Sequence, residues 1–177
     1  MKLFTSELYV RGQSQDDANR DEVDRLWEDA NRQYEQRLQQ IRPQLPTHIQ
    51  SFLDELLLHD ADVWSLARHG DQLIMVLRKD IPPRDVVILT YTLVAEPAIN
   101  TAAIPPEHCS RVMQFLYDEF DLVEDDGKKL YVQSILFSNG WEVQIKFRDV
   151  KVERADAIFP VAGTSLVPVS NVFPQSA

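Results

Sequence analysis

His59, Asp60 and Asp62 fall within LLLHDADVWSL, where an apolar helix runs out and a β-type segment starts. An imidazole and two carboxylates this close together have two readings. They can gather at one end of a sheet to bind a divalent metal or share a proton, because polar clusters with perturbed titration mark sites. Alternatively, His59 sits in a last helical turn, where the carbonyl end favours positive charge, and Asp60 turns the chain by bonding nearby N–H groups. The second reading is the simpler.

Tyr117, Asp118 and Glu119 form a second cluster between Leu116 and Phe120. On a strand, Tyr117 and Glu119 share one face and Asp118 takes the other. Such a segment lines a cleft or forms a solvated edge, the usual place for Asp and Glu. His48, His69 and the pair His108–Cys109 read as helix-start, turn and loop residues. A Cys–His nucleophilic pair needs a base oriented by a third group, which adjacency in sequence does not supply. Glu124-Asp125-Asp126 before Gly127 lacks the alternating ligand spacing of a calcium loop. The chain contains no phosphate-binding glycine loop, nucleophile elbow, paired-cysteine zinc motif or zincin helix, so no cofactor is expected and no residue is assigned a catalytic role. The ligand-binding candidates are therefore His59, Asp60, Asp62, Tyr117, Asp118 and Glu119, with a bound metal left open.

The elements that must position them follow from periodicity. Over 16–42, Val23, Leu26, Trp27, Ala30, Tyr34, Leu38 and Ile41 recur at steps of three and four and make one apolar stripe of a helix. Ser14 or Asp16 can cap its start, and Pro43 stops it. A second helix over 47–57 opens on Thr47-x-x-Gln50, the spacing of a capping box. From 62 to 152 the pattern is mainly β. His69-Gly70-Asp71 separates two short β-type runs and marks a hairpin. Asp85 to Ala95 is rich in β-branched residues and reads as a central strand. Asn139-Gly140 between two periodic runs predicts a two-residue hairpin loop. That loop would pair Ser138 with Trp141, Leu136 with Val143, Ser134 with Ile145 and Val132 with Phe147 on one shared face. Pro97 to Glu107 reads as loop, and Val112 to Leu122 suits helix and strand alike.

The chain has 177 residues and a formal net charge of −10. That length suggests one domain or a domain with an appendage. The charge repels phosphate backbones and anionic lipid, which argues against nucleic acid and membrane surfaces and favours a basic protein partner. The single cysteine, Cys109, precludes an internal disulfide and fits a reducing cytosol. The N-terminus lacks the apolar core of a signal peptide, and no stretch approaches a transmembrane helix, so the expected location is cytoplasmic.

In order along the chain, MKLFTSELY, LLLHDADVWSL followed by DQLIMVL, FLYDEF, and LYVQSILFSNGWEVQIKF resemble a family of uncharacterised bacterial proteins. Its members open on a Met-Lys-x-Phe-Thr-like segment and carry a His-Asp-small-x-Val junction. The same junction is similar to that of some small immunity proteins from bacterial toxin systems. The resemblance covers both ends and most of the expected sheet. It departs in a shorter helical middle and in a Pro-containing tail. It implies an α+β fold, a strand for Val112 to Leu122, and no activity, and it carries over only candidate positions: His59 and Asp60 at the junction, and Tyr117, Asp118 and Glu119 in the strand.

These readings give an α+β fold: an antiparallel sheet of about six strands with N-terminal helices packed on one face. Residues 1–159 form one domain and 160–177 an extended C-terminal arm that offers a route to a homo-oligomer. The expected function is a non-catalytic, protein-binding factor of immunity-like or regulatory type. The rival is a metal-dependent enzyme or small-ligand binder built on the polar candidates.

Overall fold

The computed structural model describes residues 1–13, 17–55, 57–79, 85–125 and 127–156. Ser14, Asp16 and the arm 160–177 lie outside them. Three helices come first: α1 (Ser6–Gly12), α2 (Asp17–Ile41) and α3 (Thr47–Glu55). Seven strands follow: β1 (Ala61–His69), β2 (Gln72–Arg78), β3 (Asp85–Leu93), β4 (Ala98–Asn100), β5 (Gln114–Asp125), β6 (Lys128–Phe137) and β7 (Glu142–Asp156). The fold is α+β with an antiparallel sheet and N-terminal helices, and Val112 to Leu122 is largely strand.

The sheet is not open. Its order is β3-β2-β1-β5-β6-β7-β4, and β7 also pairs with β3, so six strands close into a ring and β4 adds to β7 alone. Alternation fills the ring. Leu73, Met75 and Leu77 on β2, Val87, Leu89 and Tyr91 on β3, and Val143, Ile145 and Phe147 on β7 join one buried cluster. Burial of this kind contributes about 1.5–3 kcal/mol per large apolar side chain.

The ring has one weak seam. β1 and β5 share only the register pairs Ala61↔Phe115 and Asp62↔Gln114, extended by the Val63 amide donating to the Met113 carbonyl at 2.8 Å. Among the described residues, the outer edge of β1 from Ser65 to His69 pairs with no further strand.

The apolar stripe of α2 divides between two clusters. Val23, Leu26, Trp27, Ala30 and Tyr34 meet Phe4 and Leu8 in an aromatic cluster against Tyr117. Leu38 and Ile41, with Ile49 and Phe52 of α3, close over the ring's interior. α1 has no counterpart in the periodicity, being only seven residues long. Thr5 caps it, its hydroxyl accepting from the Leu8 amide at 3.2 Å. The expected capping box at Thr47 does not form. Thr47 starts the helix itself, and the Gln50 amide donates to the carbonyls of Arg42 (3.2 Å) and Leu45 (2.9 Å).

The β6–β7 register differs from the expected one by one residue. Phe137 opens the turn, its amide donating to Trp141 at 2.8 Å, and the pairs run Ile135↔Val143, Gln133↔Ile145 and Tyr131↔Phe147. The cause is Ser138. Its amide donates to the Gln114 carbonyl (3.0 Å), its carbonyl accepts from Ser110 (2.7 Å), and its hydroxyl bridges Gln114 and Val112. Tied to the start of β5, it cannot face Trp141, and the loop becomes Ser138-Asn139-Gly140. Gly140 has φ +89°, and an added Cβ would meet Cys109 Sγ at 2.8 Å. A one-residue slip exchanges the faces of β6, so Tyr131, Gln133, Ile135 and Phe137 point inward. The segment 97–107, expected as loop, also contributes β4. No helix among the described residues is long and apolar enough to cross a membrane.

Candidate functional site

The junction between α3 and β1 is a tight turn. Ala61 N–H closes back on Leu58 O at 3.0 Å, and Asp60 N–H donates to Phe115 O at 2.8 Å. Asp60 adopts φ +63°, alone among the described non-glycine residues in having positive φ. Aspartate tolerates this region better than most residues because its short carboxylate bonds locally. His59 Nδ1 stands 3.0 Å from Asp60 Oδ2, with the imidazole 51% exposed. The imidazole meets the Tyr117 ring edge-on at 4.9 Å. Tyr117 in turn lies 4.6 Å from Trp27 and 6.0 Å from Phe4. Burial, then the nearby Asp60 and Tyr9, push the Tyr117 hydroxyl above its ordinary range. The structure therefore brings His59, Asp60 and Tyr117 together, across a separation no local pattern encodes.

The other three candidates go elsewhere. Asp62 accepts from Gln114 Nε2 at 3.2 Å and lies 4.0 Å from Arg78. Glu119 binds the N-terminal backbone: its carboxylate accepts from the amides of Lys2 (2.9 and 3.0 Å), Leu3 (2.6 Å) and Phe4 (2.8 Å). Charge-assisted bonds of this kind are among the stronger ones in proteins.

Asp118 points to the opposite face of β5. Gln133 Nε2 donates to its Oδ2 at 2.7 Å, and Gln133 Oε1 accepts from the Tyr91 hydroxyl at 2.7 Å. Apolar surroundings push its carboxyl up to about 6, against the Gln133 bond, with Glu119 adding to the rise. A cavity of about 110 Å³ opens on this group, lined by Tyr34, Leu38, Phe52, Leu53, Leu58 and Gln133. His59 is not part of that lining.

A further pair escapes sequence reasoning. His48 Nε2 lies 2.7 Å from Asp149 Oδ1, in a groove of about 590 Å³ between α3 and β7 that Ser51, Phe52, Lys151 and Arg154 also line. An imidazole held by a carboxylate is an arrangement used in acid–base chemistry. Its partners are 101 positions apart, so nothing local announces it. His48 is the exposed first-turn residue that the sequence suggests, and it also pairs with Asp149. Among the described residues no group of three or more His, Cys, Asp or Glu side chains is arranged to hold a metal ion. No protein-family model matches the chain, and no curated protein matches it.

Proposed function

We propose that the protein is a non-catalytic, cytoplasmic bacterial binding factor, of immunity-like or regulatory type, that docks a basic protein partner beside the β1–β5 seam. The observation that carries this reading is a strand edge unpaired among the described residues, set beside exposed apolar side chains. Trp64 on β1 is 57% exposed, and Val112, two residues before β5 begins, is 55% exposed; both lie just past the seam's last backbone bond, from Val63 to Met113. Unpaired edges accept an added strand from a partner, and exposed tryptophans supply much of the energy of interfaces. Arg78 lies over the Trp64 ring, 5.9 Å from its centroid. The net charge of −10 steers a cationic partner toward the surface.

The polar candidates support the same reading from the other side. Glu119, Asp62 and Asp118 each have partners within the chain and stand apart from the group formed by His59, Asp60 and Tyr117. The likeness of the His-Asp junction to that of small immunity proteins points the same way.

Parallel affinity capture from a native bacterial lysate with the wild type and Trp64→Ala, followed by titration of the purified partner, tests the proposal. The expected result is a specific basic protein bound by the wild type and roughly tenfold or more weaker to the variant, at unchanged melting temperature. A partner that binds both equally would overturn the docking surface. A tightly held small molecule with no protein partner would overturn the function.

A further inference from the structure

The carboxylate of Asp118 has no counter-charge. Gln133 gives it a neutral hydrogen bond, no cation among the described residues contributes to its electrostatic surroundings, and the charged neighbour that does, Glu119, has the same sign. Proteins rarely leave a carboxylate in apolar surroundings unanswered, because desolvation penalises it unless a cation or a proton compensates. Here the group faces a cavity of about 110 Å³. Its walls are Leu38, Leu53, Leu58 and the rings of Phe52 and Tyr34. The Tyr34 hydroxyl oxygen already accepts from the Phe120 amide at 2.8 Å. Gln133 is fixed at its other end by Tyr91, so the carboxylate is held in one orientation.

One charged end and apolar walls define the occupant. A carboxylate or phosphate is repelled. A neutral alcohol leaves the charge uncompensated. The volume is smaller than the roughly 150 Å³ in which benzene fits a protein cavity, so the ligand must be short. We propose that this cavity is a binding site for a short alkylammonium group, its N–H donors on Asp118 and its chain against Leu38, Leu53 and Leu58. A free small amine and the side chain of a partner's lysine share this chemistry. The inference stands apart from the docking surface beside β1, since no residue is common to both.

Calorimetric titration of the intact protein with n-propylammonium chloride tests it, with 1-propanol and sodium propionate as controls. Saturable binding is expected for the ammonium, at least about tenfold tighter than for the alcohol, with none for the carboxylate. Binding should vanish in Asp118→Asn, and also in Leu53→Trp, which fills the cavity and keeps the carboxylate. It should weaken as pH falls through about 6, where Asp118 takes up a proton. Amide shifts in the NMR spectrum should localise to Leu53, Asp118 and Gln133. A lysine derivative blocked at both backbone ends separates the sources: affinity equal to that of propylammonium assigns a lysine side chain, and much weaker affinity assigns a free amine. Absence of saturation, equal binding of propanol and propylammonium, or undiminished binding in Leu53→Trp would overturn the proposal. If Asp118→Asn does not fold, the Leu53→Trp and propanol arms still decide.

Discussion

The two faces of β5 meet different partners one residue apart. Tyr117 and Glu119 face outward, one under the imidazole of His59 and the other holding the N-terminal amides. Asp118 and Phe120 face inward, Phe120 against Phe52, Tyr131 and Phe147 and Asp118 against Gln133. The outer carboxylate is satisfied by the backbone N–H groups of Lys2, Leu3 and Phe4. The inner one has a single amide and apolar walls. The same functional group is therefore an anchor on one face and an electrostatic cost on the other, and the donors that reach it decide which.

This contrast can be broken by mutation. The largest effect is expected inside. Phe120→Ala removes a ring 1% exposed and should destabilise by about 3–5 kcal/mol, read from the denaturant midpoint.

Asp118→Asn should act with the opposite sign at neutral pH. The folded-state carboxyl titrates near 6, above its ordinary 3.8, so the folded chain binds the extra proton between those values. Wild-type stability should fall as pH rises through that window, by up to about 3 kcal/mol, and the asparagine variant should lack this slope. Melting curves from about pH 4 to pH 7 check it. Parallel slopes in the two proteins would remove the claimed difference between the faces.

His59→Ala should have the smallest effect, under about 1 kcal/mol, because it loses an exposed edge-on ring contact and a solvent-exposed contact with Asp60. A loss several times larger would mean that the turn at Asp60 depends on the imidazole.

Much of this architecture is legible in the residues. The stripe from Val23 to Ile41 announces α2, and Gly70 between two β-type runs announces the first hairpin, where it has φ +60°. The split of Tyr117 and Glu119 from Asp118 follows from strand alternation alone. The candidate site is less legible. Asp60 in a turn is foreseeable, but its company with Tyr117 is not. The pairing of Glu119 with the amides of Lys2 to Phe4, and of His48 with Asp149, joins segments more than a hundred residues apart. The β6–β7 register was misleading for a physical reason: Val132 and Leu136 on the outer face of β6 are buried too, so apolar pattern could not tell the faces apart.

By itself, then, the sequence determined the kind and order of the longer elements apart from β5, because helical and strand periodicities, turn glycines and stripe residues act over short stretches of chain. It also determined the negative field that any partner meets. Tertiary structure alone decided the ring, the register of its last hairpin and the fate of each carboxylate. Ring closure depends on β3 meeting β7 and β1 meeting β5, pairings made by backbone groups that every residue carries. Whether a carboxylate binds amides or faces an apolar cavity depends on which distant segments pack against it.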